Sequence, residues 1–181
     1  MVATVPETSG GRLLPFVRDV PDFPKPGIVF KDIMPLLADP GAFVTCIEAL
    51  AAPWREEGVD IVCGIEARGF IFAAAMAERL GAGFVPLRKP GKLPGRVLGA
   101  DYALEYGSAR LEAQVDAVRP GARVLLVDDV LATGGTLVAA RAVLEQLHAT
   151  IAGAAVVIEL PALGGRARWP GDEPLHALLA C

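Results

Sequence analysis

Asp128 and Asp129 stand side by side at the end of an apolar run, and Ala132-Thr133-Gly134-Gly135-Thr136 follows almost at once. Two adjacent carboxylates repel each other and resist desolvation unless a cation or hydroxyl donors meet them. The small-residue loop offers free backbone N–H groups, two hydroxyls and the positive end of the next helix dipole, which together make an anion site. A tight strand-to-helix turn, with glycines for positive φ and threonine as N-cap, would explain the loop but not the acids. No G-x-x-x-x-G-K-[ST] occurs, no lysine follows the loop, and no G-x-G-x-x-G follows an early strand, which excludes the usual nucleotide loops. Amides and hydroxyls without a lysine suit one terminal monophosphate, and the acids suit vicinal sugar hydroxyls. That combination describes a ribose 5-phosphate.

Three other segments carry charge or a flat surface. Arg88-Lys89-Pro90-Gly91-Lys92-Leu93-Pro94-Gly95-Arg96 crowds its cations into a loop that prolines restrict and glycines open to a ligand. A bare charge run is usually a solvated loop, but here pyrophosphate is the obvious anion, and fixed cations would neutralise a leaving group as its bond breaks. Glu66 and Arg68 fall between a strand and a helix; Glu66 suits the helix start, whereas Arg68 opposes the dipole and so awaits an anion. In Phe23-Pro24-Lys25-Pro26-Gly27-Ile28-Val29-Phe30-Lys31-Asp32, core packing accounts for Ile28 and Val29, while Phe30 could stack on a flat base whose edge meets backbone amides.

The elements that must position these groups follow from hydrophobic period. Asp39-Pro40 opens a helix through Phe43, Ile47 and Leu50 that Pro53 kinks or ends. Residues 60–65 form a short strand, Gly69 to Leu80 a helix stopped by Gly81, and Gly83 to Leu87 a second strand. Residues 90–110 lack a sustained period and suggest an excursion or hairpin. Arg123 to Asp128 is a strand buried on both faces, with the acids at its carboxyl end, where open α/β sheets bind ligands. Leu137, Ala140, Leu144 and Leu147 mark one face of the next helix, Ala154 to Glu159 is a further strand, and the tail from Pro161 is short, polar in the middle and apolar at its end. The fold class is α/β, a central parallel sheet flanked by helices.

At 181 residues the chain suits one domain over 1–181, with residues 1–11 loose. No apolar run approaches the ~18 residues a membrane span needs, and Met1 to Gly11 has neither a basic n-region nor an apolar h-region, so a cytoplasmic location is expected. Cys46, Cys63 and Cys181 form no C-x-x-C and read as buried or inert thiols. His148 and His176 suit packing or surface roles, and neither Ser9 nor Ser108 sits in a nucleophile elbow. A net charge of −4 argues against a nucleic-acid partner.

The apolar strand, Asp128-Asp129 and Ala132 to Thr136 together resemble the phosphoribosyl pyrophosphate motif of the type I phosphoribosyltransferases. Pro24 to Asp32, Gly64 to Phe70, Arg88 to Gly95 and Leu104-Glu105-Tyr106-Gly107 narrow the resemblance to the adenine phosphoribosyltransferases, over roughly residues 16 to 168. The resemblance implies the type I fold, with a small N-/C-terminal hood and a mobile loop. It implies purine salvage: adenine and phosphoribosyl pyrophosphate give AMP and pyrophosphate, with Mg²⁺ held mainly by substrate and reached from Asp128 or Asp129 through water. By motif, Val29, Phe30 and Lys31 contact adenine; Asp128 and Asp129 hold the ribose hydroxyls; Ala132, Thr133, Gly134, Gly135 and Thr136 cradle the 5-phosphate. Arg68, Arg88, Lys89 and Lys92 hold pyrophosphate, Glu105 transfers the proton, and Tyr106 helps close the site. A homodimer is implied, the basic loop reaching the neighbouring subunit. Lys31 stands where many relatives have arginine, which weakens a planar contact. Met34 and Ala73-Ala74-Ala75 are further departures, and none removes a group the chemistry needs. A 6-oxopurine transferase is opposed by the Val29-Phe30-Lys31 segment. A nucleic-acid-binding regulator is opposed by the acidic balance and by too short an N-terminal stretch.

Overall fold

The computed structural model describes residues 9–103 and 108–181. In chain order the elements are α1 (Ser9–Leu13), β1 (Arg18–Pro21), β2 (Val29–Asp32), α2 (Met34–Ala38), α3 (Pro40–Ala51), β3 (Ile61–Ile65), α4 (Gly69–Leu80) and β4 (Gly83–Leu87). There follow β5 (Val97–Ala103), β6 (Ser108–Gln114), β7 (Arg123–Leu131), α5 (Gly135–Gln146), β8 (Thr150–Glu159) and β9 (Leu175–Ala180). Five strands make one parallel sheet in the order β4-β3-β7-β8-β9.

β7 lies at the middle of that sheet and is covered on both faces. Successive side chains of a strand point to opposite sides: Leu125 and Val127 enter a core with Phe72, Met76 and Leu50, while Val124 and Leu126 enter a second with Leu137, Val143 and Leu144. A continuous apolar run is the pattern such a position demands. α3 begins as its residues predict, with Pro40 at the first helical position and the Ala42 N–H donating to Asp39 Oδ1 at 2.8 Å. α4 ends on Gly81 in the left-handed region at φ 64°.

Two antiparallel hairpins stand outside the sheet. β1 pairs with β2, placing Val20 opposite Phe30 and Asp19 opposite Lys31, and forms the N-terminal part of the hood. β5 pairs with β6 where residues 90–110 suggested an excursion or hairpin. Glu105 and Tyr106 lie outside the described residues.

Several boundaries differ from expectation. β7 continues through the acids to Leu131, because β8 pairs alongside it as far as Glu159. β8 starts at Thr150 rather than Ala154, and the tail supplies β9, whose six residues find their partner only on the β8 edge. Ser9–Gly11, expected loose, belong to α1, which is anchored by the buried Leu13. Among the described residues no helix is long and apolar enough to cross a membrane.

Candidate active site

The acid pair sits near the carboxyl end of β7, followed only by Val130 and Leu131 before the strand stops, and both acids are almost fully buried. The Asp129 N–H donates to Asp128 Oδ1 at 2.9 Å. Burial, and next the neighbouring Asp129 charge, push the Asp128 carboxyl well above its ordinary value. The first turn of α4 approaches closely here: a Cβ on Gly69 would stand 2.9 Å from Asp128 Oδ1 and from the Val127 carbonyl oxygen. Only glycine leaves room for that helix start against the acids.

Arg68, the residue before Gly69, supplies the cation that the acids require. Its Nε lies 2.7 Å from Asp129 Oδ2, an ion pair off the hydrogen-bond direction. Its guanidinium carbon is also 4.9 Å from the centroid of the Phe30 ring, within cation–π range. Arg68 is therefore engaged rather than waiting, and it joins the hood to the acid pair.

The hood presents a largely apolar concavity of about 230 Å³ lined by Val20, Phe23, Phe30 and Asp32. Phe23 meets Phe30 edge-on at 5.2 Å. Of the three residues expected at the base, only Phe30 turns its side chain into this space. Val29 and Lys31 alternate to the other face of β2, and Lys31 Nζ instead pairs with Asp19 Oδ1 at 2.7 Å across the hairpin, which leaves their backbones as the groups able to meet a base edge. Asp32 is held below the usual carboxylate range by the Met34 N–H, at 2.9 Å, and by Arg18. Val20, Phe23 and Arg18 were not among the expected site residues. A hairpin register decides their place, and no local pattern announces it.

Beyond the acids, Ala132, Thr133, Gly134 and Thr136 line a small hollow of about 50 Å³ shared with Val130, Leu131 and Leu137. The helix cap is Gly134 at φ 81°, not Thr133, and no side chain caps it. Val138 N–H makes the first return bond, to the Gly134 carbonyl, so the N–H groups of Gly135, Thr136 and Leu137 precede the helical ladder. Those free N–H groups lie in the loop that the residues mark as a candidate anion site.

The basic loop begins where β4 ends. Glu66 Oε2 accepts the Lys89 N–H at 2.9 Å and lies 3.4 Å from Arg88 Nε. The Lys89 amide, followed by Arg88, holds the Glu66 carboxyl below its ordinary value. Arg88 also donates to the Lys92 carbonyl at 3.1 Å, whereas Lys89 and Lys92 are exposed. Glu66 thus fixes the root of the loop and leaves its ammonium groups in solvent. Cys46 and Cys63 are buried and Cys181 exposed, all three free; burial pushes the Cys46 thiol up to about 12 and raises Cys63 as well.

The parallel sheet, the acid pair and the glycine-rich loop define a class, and residues 37–169 match the family model described as a phosphoribosyl transferase domain. The chain belongs to that family. Within it, the chain is 60% identical over 164 residues to an adenine phosphoribosyltransferase of Xanthomonas campestris pv. campestris, covering 91% of this chain and 88% of that one. The solved adenine phosphoribosyltransferase of Rhodothermus marinus superposes with a TM-score of 0.91 at 47% identity, covering 96% and 98% of the two chains. That of Saccharomyces cerevisiae, complexed with an imino-altritol bisphosphate and adenine, gives 0.89 at 40% identity, covering 94% and 98%.

Proposed function

We propose that this chain transfers the 5-phosphoribosyl group from phosphoribosyl pyrophosphate to adenine, releasing pyrophosphate and forming AMP, as a purine-salvage enzyme. One observation carries the reading: Arg68 spans Phe30 and Asp129, at 4.9 and 2.7 Å, so an aromatic base wall and a sugar-binding acid lie on either side of one guanidinium. The anion loop continues from the acids, and Glu66, two residues before Arg68 in the chain, holds Arg88 at 3.4 Å.

In this reading Phe30 stacks on adenine and the β2 backbone meets its edge. Asp128 and Asp129 hold the ribose hydroxyls, and Ala132 to Thr136 hold the 5-phosphate. As the C1–O bond breaks and C1 bonds to the base nitrogen, Arg68, Arg88, Lys89 and Lys92 take the charge of the leaving pyrophosphate. Glu105 accepts the proton that the base gives up, and Tyr106 helps exclude water. The buried carboxylate pair is a hard oxygen set suited to Mg²⁺, and Asp129 Oδ2 lacks an aligned donor. Asp128 or Asp129 would reach the ion through water, and the ion would neutralise pyrophosphate charge. The reading includes a homodimer and a cytoplasmic location; the free thiols suit a reducing compartment.

The test is a substrate screen with Mg²⁺ and phosphoribosyl pyrophosphate. Adenine is expected to give AMP, with hypoxanthine and guanine used far more poorly. Equal turnover of hypoxanthine, or none of adenine, refutes the assignment.

A further inference from the structure

The turn from Gly164 to Arg168 crosses against the phosphate loop from outside. Gly165 is buried there: a Cβ on it would collide with the Ala132 carbonyl and stand 2.9 Å from the Gly134 nitrogen. A Cβ on Gly134 would in turn lie 2.6 Å from the Gly165 carbonyl oxygen. Arg168 Nη1 donates to the Thr133 carbonyl at 3.2 Å, and Arg168 does not line the hollow that the loop encloses.

The turn itself is anchored on both sides. Arg166 pairs with Glu159 and donates to the Leu175 carbonyl at 2.8 Å. Arg141, on the helix that the phosphate loop opens, grips Glu173 at 2.7 and 3.0 Å and lies 5.4 Å from the Trp169 ring. In contrast, no side chain caps the start of α5, so the loop needs support from elsewhere. In a trans peptide the carbonyl and the following N–H point in opposite directions. A guanidinium that holds the Thr133 carbonyl therefore directs the Gly134 N–H away from itself.

We propose that Arg168, seated by Gly165, is a positioning residue for the 5-phosphate. It fixes the Thr133–Gly134 peptide before ligand arrives, which lowers the cost of ordering the donors on binding, and it adds a cation near a cradle that has no lysine. The proposal rests on the assignment of this loop to the 5-phosphate.

Binding of AMP and of adenosine to wild type, Arg168→Ala and Arg168→Lys, measured by calorimetry, tests it. AMP is expected to bind Arg168→Ala about tenfold more weakly, as the loss of one hydrogen bond from a charged group implies. KM for phosphoribosyl pyrophosphate should rise in parallel, while adenosine affinity, KM for adenine and Tm stay unchanged, and Arg168→Lys should recover part of the loss. Unchanged AMP affinity in Arg168→Ala overturns the proposal, as does an equal loss for adenosine, which would mark a general structural role. Should Arg168→Ala fail to fold, Arg168→Met keeps the aliphatic stem and carries the same expectations. If wild type turns over adenine and binds AMP, a negative result falls on Arg168 alone; if wild type binds no AMP, the functional reading fails first and this proposal with it.

Discussion

Asp128 is the residue where function and stability oppose each other most directly. It is buried beside a second carboxylate, and its carboxyl lies above the ordinary value of 3.8. An acid whose folded-state pKa is raised keeps its proton longer when folded, so the unfolded chain releases protons first as pH rises. The stability this contributes is fully present below the unfolded value and is lost as pH climbs through the raised one. Asp128→Asn removes that loss, and its Oδ1 can still accept the Asp129 N–H. In metal-free buffer at neutral pH the variant should unfold on the order of 1 kcal/mol harder, about 2–4 °C in Tm for a chain of this size. The gain should vanish towards pH 4, near the unfolded value, and KM for phosphoribosyl pyrophosphate should rise. A variant less stable than wild type at neutral pH would show that Arg68 already compensates the pair fully. Arg68 itself illustrates how a local rule fails at a working residue: a cation at the N-cap of a helix opposes the dipole, and Asp129 and Phe30 explain why it is there.

The phosphate loop depends on an element boundary that only glycine permits. Gly134 has φ 81°, and a Cβ would stand 2.6 Å from the Gly165 carbonyl oxygen. Gly134→Ala should cost about 1–3 kcal/mol for the left-handed conformation, with crowding added. The measurements are denaturant midpoint and AMP affinity, both expected to fall together; a variant that keeps both would mean the loop relaxes freely. Most of this loop was legible in the sequence, because an apolar run, two acids and a glycine-rich break occupy consecutive residues. The α3, α4 and β4 segments were legible for a similar reason, since capping residues and hydrophobic period are local. β1 and β2 were not, because four-residue, proline-flanked stretches of mixed polar and apolar residues give too short a period, and they pair only through register. β9 was hidden as well: its strand identity comes from the β8 edge. Strand alternation divides the Val29-Phe30-Lys31 segment: the Lys31 side chain goes to Asp19, and its backbone and that of Val29 stay on the Phe30 strand. The support from Gly165 and Arg168 was beyond sequence reading, since neither glycine nor arginine in a polar tail signals what it touches.

The basic loop is held at its root and exposed at its tip. Its root belongs to this protomer, because Glu66 holds Arg88 and the Lys89 amide, yet Lys89 and Lys92 extend into solvent from β4, the edge strand of the sheet. Val44, Ile71 and Phe84 are exposed on the neighbouring elements α3, α4 and β4, and apolar residues left exposed on adjoining elements suit an interface. A homodimer in which each loop serves the other protomer's site unites these features. It predicts complementation. A Lys89→Ala, Lys92→Ala double variant lacks the loop cations but keeps its acids, and Asp129→Asn keeps its loop but has a damaged sugar site. In a mixed dimer, trans action joins the intact loop of one protomer to the intact acids of the other. Random reassociation of equal amounts should then restore about a quarter of the wild-type sites, since about half the dimers are mixed and each regains one site. If each loop serves its own protomer, both sites in a mixed dimer stay defective and no activity returns. Sedimentation of the mixture, showing twice the 18.9 kDa chain mass, separates that outcome from a failure to assemble.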